Sequence, residues 1–187
     1  MEIYLVRHTE TVVPKGICYG QTDVAIAQPY DTAFEKIATQ LPHNAVLFSS
    51  PLQRCLQLAH YLQLHNKTEK IQVDARLMEM HFGDWEMQAW NEIPTEILNP
   101  WMTDFVSVAV PNGESFEKLH QRVLDFIESE IKNLSTQNVI IVAHAGIIRS
   151  ILCYFEQIPL AEAFATKVDF GAVIRTEYPL SHSESKL

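Results

Sequence analysis

Residues 3–10 of the chain read IYLVRHTE, an apolar run that leads directly into a polar one. Four consecutive apolar residues, Ile3–Val6, are typical of a short strand that is buried on both faces of a sheet. In an open α/β sheet, ligands bind beyond the carboxyl ends of the strands. We therefore expect Arg7 and His8 to lie at a ligand-binding edge.

The rest of the chain alternates apolar runs with helical patterns. Further strands are predicted at Ala45–Phe48, Ile71–Val73, Val139–Ala143 and Ala172–Tyr178. Apolar residues recur at helical spacing in segments that start near Asp31, Pro51, Phe116 and Ile147, and these predict helices ending near Leu41, Leu62, Ile131 and Phe155. This alternation indicates an α/β fold, in three α/β/α layers with a mostly parallel central sheet.

Length and charge limit the class of protein and its partners. The 187 residues suffice for one domain with a substantial core, expected over 1–180, with a disordered serine-rich tail at 181–187. The net charge of −9 argues against nucleic acid, which requires a broad positive field. The apolar runs are too short to cross a bilayer, so we expect no membrane partner. The sequence leaves open whether the chain forms a homodimer.

The cysteines indicate the cellular compartment. Cys18, Cys55 and Cys153 are widely spaced, odd in number and form no Cys-x-x-Cys pair. A disulfide framework or a cysteine zinc site is therefore not expected, and we predict a reducing, cytoplasmic location.

Cationic side chains follow three of the predicted strands. Arg7 and His8 follow the first strand, Arg54 lies shortly after the second, and His144 follows the strand at 139–143. The planar fork of arginine suits phosphate oxygens, and helix N-termini add free N–H groups. Each residue alone is more often structural, but their convergence predicts a site for a phosphate or a carboxylate.

A metal site is the competing chemistry, because the chain has eight histidines. No His-Glu-x-x-His pattern or closely paired histidines occur, and arginines beside a cation would repel it. We therefore predict no metal and no cofactor.

Five short motifs in order carry a family resemblance. They are LVRHTET at 5–11, SSPLQRC at 49–55, LME at 77–79 leading to Phe82-Gly83, NGES at 112–115 and AHAG at 143–146. Together they resemble the histidine phosphatase superfamily, which has the phosphoglycerate mutase-like fold. Within it, MEMHFGDWEM at 78–87 is most similar to the α-ribazole phosphatases of cobalamin nucleotide-loop assembly.

The resemblance implies a role for each motif residue. His8 would attack phosphorus and become a phosphohistidine, while Glu79 would protonate the leaving alkoxide and later accept a proton from water. The phosphoryl oxygens would be held by Arg7, Arg54 and His144. The substrate site would also include Ala145.

The chain departs from the family pattern at two places. Thr9 stands where a glycine usually follows the nucleophile, so this turn requires a negative φ. Pro14 stands where the family often has an asparagine that contacts phosphate. Either Gln21 or Thr22 is expected to replace that contact.

Three tryptophans, Trp85, Trp90 and Trp101, belong to a segment at about 84–111 that we expect to cover the site as an insertion. They either stack on an aromatic group of the substrate or pack the small core of this segment. Both alternatives stay open at this point.

The predicted function is a metal-independent phosphomonoesterase that acts on a small-molecule phosphate ester, with α-ribazole-5′-phosphate as the expected substrate. Alternatives are a phosphoglycerate mutase, a broad sugar-phosphate phosphatase, and a non-catalytic phospho-ligand-binding protein. A mutase must exclude water, which usually takes longer insertions than this chain allows.

Overall fold

A computed structural model describes residues 1–68, 70–135 and 138–178. Its sheet has five strands, in the order β3-β2-β4-β1-β5. Their bounds are β1 Glu2–Arg7, β2 Val46–Ser49, β3 Ile71–Val73, β4 Asn138–Ala143 and β5 Val173–Glu177. The strands β1 to β4 are parallel, and β5 pairs antiparallel with β1. The predicted mostly parallel sheet is thus confirmed.

The described residues form five α-helices. They are α1 Asp31–Ala38, α2 Gln53–His65, α3 Thr95–Thr103, α4 Phe116–Phe126 and α5 Ala145–Glu156. One apolar cluster joins α1 and α2 to one face of the sheet, and a second joins α4 and α5 to the other. Along β4, Ile140 packs into the first cluster and Ile141 into the second. The three α/β/α layers follow from this alternation.

Two helices differ from the prediction. Helix α1 ends at Ala38 rather than near Leu41, because the chain there closes into turns. Helix α4 runs on after Phe126 as a π-helical turn, Ile127–Ile131, where the prediction was one continuous helix. Helix α3 was not predicted, and it contains Pro100, which normally interrupts helices because it lacks an N–H group.

The strand register brings the candidate site together. Arg7 pairs with Ala143, and Ser49 pairs with Val142. The residues that follow these three strands, including His8 and His144, therefore emerge at one edge of the sheet. Thr9 is not among the residues with positive φ, as the sequence required.

The remaining expectations concern the ends of the chain and the membrane. The predicted tail at 181–187 and the domain boundary near 180 lie outside the residues that the structure describes. Within the part that is described, no helix has the length and apolar character needed to span a membrane.

Candidate active site

A cavity of about 280 Å³ opens at the carboxyl ends of the central strands. Four of the predicted site residues line it, namely Arg7, His8, Arg54 and Glu79. The other lining residues are Val13, Pro14, Lys15, Gly16, Ile17, Tyr19, Trp90 and Phe170. The cavity therefore combines two guanidinium groups, one imidazole, one ammonium group and one carboxyl group, and three aromatic rings form part of its wall.

The imidazole of His8 is oriented by the backbone next to it. Its Nδ1 lies 2.7 Å from the Thr9 carbonyl oxygen, which can only accept a hydrogen bond, so Nδ1 carries the proton. No described residue hydrogen-bonds Nε2. Burial, with the nearby Arg54 charge, lowers the pKa of His8 to about 3. The ring is therefore neutral at pH 7, with an unprotonated Nε2.

His144 is completely buried beside His8, with ring centroids 5.1 Å apart. Arg54 Nε donates to His144 Nδ1 at 3.3 Å, so the proton of the neutral ring is on Nε2, which lies 2.8 Å from Ser50 Oγ. Burial, followed by the proximity of His8, lowers the pKa of His144 well below its usual value. Both ring nitrogens are occupied, so a contact with phosphoryl oxygens requires one bond to be exchanged.

Arg54 is buried at the start of α2 and binds a loop of the protein itself. Besides its bond to His144, its terminal nitrogens donate to the carbonyl oxygens of Thr22, at 2.8 Å, and Gly20. Its guanidinium also lies 5.4 Å from the ring centre of Tyr19. Three of the five N–H groups of the guanidinium are used in this way. The other two belong to the terminal nitrogens.

Arg7 has a buried donor without a partner. Its Nη1 donates to the Val168 carbonyl oxygen at 2.7 Å, and its guanidinium stacks 3.8 Å from the ring centre of Phe170. Its Nε is buried and bonds to no described residue. An unsatisfied buried donor costs about 1–3 kcal/mol, which an anion in the cavity would offset.

Charge in the cavity favours an anion. Neither Arg7 nor Arg54 forms an ion pair with any acidic side chain of the described residues. Burial lowers the pKa of Arg7, which stays charged at pH 7 because its ordinary pKa is so high. The chain as a whole carries −9, yet this pocket is locally cationic.

Glu79 follows the 3₁₀ turn Ala75–Leu77 and reaches the N-terminus of α5. Its Oε2 accepts from the Gly146 N–H at 3.2 Å, and its Oε1 accepts from the Met80 N–H at 3.0 Å. The carboxyl group is therefore held at the wall of the cavity that contains His8. Ala145, the first residue of α5, is buried and does not line this cavity.

The loop 20–22 is held from two sides and does not line the cavity. Arg54 binds its carbonyl groups, and Glu86 accepts from the backbone N–H groups of Gly20, Gln21 and Thr22 and from Thr22 Oγ1 at 2.6 Å. Gln21 Nε2 donates to the Glu79 carbonyl oxygen. These polar groups are thus engaged within the protein, and the substrate contacts of Gln21 and Thr22 stay predictions.

The three tryptophans form one aromatic cluster in different environments. Trp85 and Trp101 are buried and meet edge to face, with ring centroids 5.6 Å apart. Trp90 is half-buried, stacks against Trp101 and lines the cavity. The cluster therefore packs its own segment, as one alternative held, while Trp90 also presents a face to the site.

Tyr19 and Lys15 were missed from the sequence as functional candidates. Both reach the cavity from loops, where no periodic pattern exists to place a side chain. Among the residues described, no group of three or more His, Cys, Asp or Glu side chains is arranged to hold a metal ion.

The chain is similar to known proteins over almost its whole length. The family model described as "Histidine phosphatase superfamily (branch 1)" matches residues 3–186. The adenosylcobalamin/alpha-ribazole phosphatase of Salmonella typhimurium is 28% identical over 177 residues, 91% of this chain and 87% of that protein. Phosphoserine phosphatase 1 of Hydrogenobacter thermophilus is 26% identical over 192 residues, 100% of this chain and 88% of that protein.

A solved structure extends the comparison to three dimensions. The crystal structure of the alpha-ribazole phosphatase from Shigella flexneri superposes with a TM-score of 0.83 at 26% identity, covering 94% of this chain and 89% of that one.

Proposed function

The chain belongs to the histidine phosphatase superfamily and is a phosphoric monoester hydrolase, and from that premise we propose that it forms a phosphohistidine on His8. We propose α-ribazole-5′-phosphate as the substrate. One observation carries the phosphohistidine proposal: His8 and Arg7 line the same cavity. His8 is neutral, with its Nδ1 bonded to the Thr9 carbonyl, and the buried Nε of Arg7 has no partner among the described residues.

The first half of the reaction transfers the phosphoryl group to the protein. His8 Nε2 attacks phosphorus in line, a nitrogen–phosphorus bond forms, and the bond between phosphorus and the ester oxygen breaks. Arg7 and the two remaining N–H groups of Arg54 bind the phosphoryl oxygens, where negative charge must be stabilised in the transition state. Glu79 gives its proton to the leaving alkoxide.

The second half releases phosphate. Glu79, now a carboxylate, accepts a proton from water, and the oxygen of that water attacks phosphorus as the bond to His8 breaks. His144 reaches a phosphoryl oxygen by donating its Nε2 proton to the ligand in place of Ser50 Oγ. No step in this scheme requires a metal ion, so activity is expected to survive EDTA.

The wall of the cavity supports a substrate with a flat ring. Tyr19, Trp90 and Phe170 border the cationic floor, and aromatic faces of this kind stack on planar groups. α-Ribazole phosphate offers a benzimidazole ring at one end and a phosphate at the other. The similarity to α-ribazole phosphatases at about a quarter identity is consistent with this substrate.

A substrate panel tests the proposal. We expect kcat/KM for α-ribazole-5′-phosphate to exceed that for phosphoserine, 3-phosphoglycerate and sugar phosphates by about tenfold or more. Equal values across the panel would favour a broad phosphatase, and transfer of the phosphoryl group to 3-phosphoglycerate would favour a mutase. Binding of every ester without release of phosphate would indicate a non-catalytic ligand-binding protein.

We also propose a cytoplasmic location, which the free thiols of all three cysteines support.

A further inference from the structure

The proposed acid, Glu79, lies in a stretch without regular secondary structure. Residues 78–82 belong to no helix or strand, so no regular backbone ladder satisfies their carbonyl and N–H groups. Buried or partly buried backbone groups must then bond to side chains or water. Here two side chains bond to these backbone groups: Arg122, from helix α4, and Glu114, from the turn at 112–115.

Arg122 extends from the middle of α4 and binds two carbonyl groups of this stretch and one carbonyl group of the 3₁₀ turn before it. Its Nη1 donates to the carbonyl oxygens of Arg76 and Met78, both at 2.6 Å. Its Nη2 donates to the carbonyl oxygen of Glu79 itself at 3.0 Å. A planar guanidinium with several donors can bridge such a set, whereas a single ammonium group cannot reach all of it.

Glu114 orients Arg122 and also binds the chain on the other side of Glu79. Its Oε1 accepts from Arg122 Nη2 at 2.6 Å, and its Oε2 accepts from Arg122 Nε at 3.2 Å. The same Oε1 accepts from the His81 N–H at 2.8 Å. The Glu114 N–H donates in turn to the His81 carbonyl oxygen at 2.9 Å.

Two glycines allow the turn at 112–115 to approach this stretch so closely. A β-carbon at Gly113 would lie 2.3 Å from the His81 carbonyl oxygen, and one at Gly83 would lie 2.1 Å from the Pro111 carbonyl oxygen. Gly83 also has a φ of +48°, which favours glycine. Backbone contact and the charged pair therefore hold the same stretch from both sides of Glu79.

We propose that the Glu114–Arg122 pair positions Glu79 for proton transfer to the leaving group. The inference rests on the proposed role of Glu79, and neither member of the pair lines the cavity. Glu114 and Arg122 are positioning residues because they bind the backbone on either side of Glu79. This also assigns a purpose to Glu114 of the NGES turn.

Position matters here because proton transfer requires hydrogen-bond distance between the acid and the oxygen of the leaving group. A misplacement of about 1 Å can cost about a hundredfold in rate. The side chains of Arg122 and Glu114 are only 19% and 13% exposed, so water replaces their bonds poorly. Loss of one partner should therefore shift the stretch that carries Glu79.

The test measures phosphoenzyme formation in single turnovers with two esters. p-Nitrophenyl phosphate has a leaving group that departs without a proton, whereas an alkyl phosphate requires one. We expect Glu114→Gln to slow phosphoenzyme formation from the alkyl ester about tenfold, with p-nitrophenyl phosphate slowed less than about twofold. Arg122→Lys should show the same selectivity, and KM should change less than the rate constant.

Two further variants separate positioning from general damage. Glu130→Gln removes a different ion pair, with Arg76 at 3.0 Å, which ties the 3₁₀ turn before Glu79 to the π-helical turn after α4 without contacting Glu79. It should leave the ratio of the two rates unchanged. The double variant Glu79→Gln/Glu114→Gln should slow the alkyl ester, relative to p-nitrophenyl phosphate, no more than Glu79→Gln alone does.

The outcomes separate the inference from the proposed function. Equal slowing of both esters by Glu114→Gln and Arg122→Lys would overturn the positioning role. Selective slowing by Glu79→Gln, with none by Glu114→Gln, would overturn the inference alone. Equal slowing of both esters by Glu79→Gln would overturn the acid role of Glu79 and, with it, the inference.

Discussion

The backbone N–H of Gly146 donates to Glu79 Oε2 at 3.2 Å, and a β-carbon on Gly146 would lie 2.4 Å from Glu79 Oε1. The Glu79 carboxyl group thus occupies the space that the β-carbon of any other residue at position 146 would fill. The first N–H groups of α5 have no partner within the helix, so one of them is available to bind a carboxyl oxygen. A glycine beside His144 therefore permits the acid and the two histidines to share one site.

Gly146→Ala is expected to displace the Glu79 carboxyl group without unfolding the protein, since the clash is with the end of a flexible side chain. Phosphoenzyme formation from an alkyl phosphate should slow about tenfold to a hundredfold, with little change for p-nitrophenyl phosphate. Rapid-quench kinetics on both esters measures this. Adding Glu79→Gln to Gly146→Ala should cost nothing further, and an additive loss would argue against the shared cause.

The two histidines are expected to be neutral with opposite tautomers. Hydrogen bonds place the proton on Nδ1 of His8 and on Nε2 of His144, and the pKa of His8 is lowered to about 3. Nitrogen-15 NMR of labelled protein should show both forms down to about pH 5, while a histidine peptide titrates near 6.5. Titration of His8 near that reference value would contradict the assignment.

Acid should destabilise the fold through these buried histidines. The pKa of each is depressed in the folded state, so the unfolded chain takes up protons first as the pH falls below about 6.5. Stability is then lost progressively, down to about pH 3 for His8, by up to about 1.4 kcal/mol per pH unit for each group. Urea unfolding at a series of pH values should show a shallower slope for His8→Gln.

His60→Gln is the matched control for that series, because it removes an exposed imidazole on α2. It should leave the slope of the free energy of unfolding against pH unchanged. Identical slopes for the wild type and His8→Gln would argue against burial of a neutral His8.

Arg7→Met should weaken phosphate binding and spare stability. The variant removes a charge-assisted contact of about 1.5–3 kcal/mol with an anion, or about tenfold to a hundredfold in Kd. It also removes the unpartnered buried Nε, which offsets part of the lost packing on Phe170. Calorimetry with inorganic phosphate and thermal melting measure the two effects. Arg175→Met, at an exposed site, serves as the control, and equal Kd values for both variants would contradict the assignment.

Trp90→Ala should reduce selectivity for substrates with a flat ring. Loss of one stacking face is worth about 0.5–1.5 kcal/mol, so KM for an aryl phosphate should rise about twofold to tenfold more than KM for glycerol phosphate. Met102→Ala, on the same segment but exposed and outside the active-site cavity, should change neither. Equal increases in KM for both esters would show that Trp90 acts only through packing.

Patterns along the chain predicted most of what lies in regular structure. A buried parallel strand needs a continuous apolar run, so the strand at Ile3–Val6 and its polar extension could be recognised from composition alone. Because parallel strands end at one edge, the meeting of Arg7, His8 and His144 also followed from the pattern. Helix α3 escaped prediction because Pro100 interrupts its pattern and only nine residues form it.

Contacts between distant loops were not available to such reasoning. The hydrogen bonds of Arg122 and Glu114 to the backbone on either side of Glu79 join residues far apart in the chain. No local propensity predicts such bonds. The same holds for Gln21 and Thr22, expected as substrate contacts but found bonded to Glu79 and Glu86. The residue type determines which hydrogen bonds a side chain can make, but the tertiary packing determines which partner it bonds.

The sequence by itself determined the layered α/β fold, the family and the types of side chain at the sheet edge, because apolar periodicity and short motifs are local. Only the tertiary structure decided which of these groups stay available. It gives Nε of Arg7 no partner among the residues that the structure describes, and it engages both ring nitrogens of His144. The physical reason is that burial and hydrogen-bond pairing depend on every element that meets at the site.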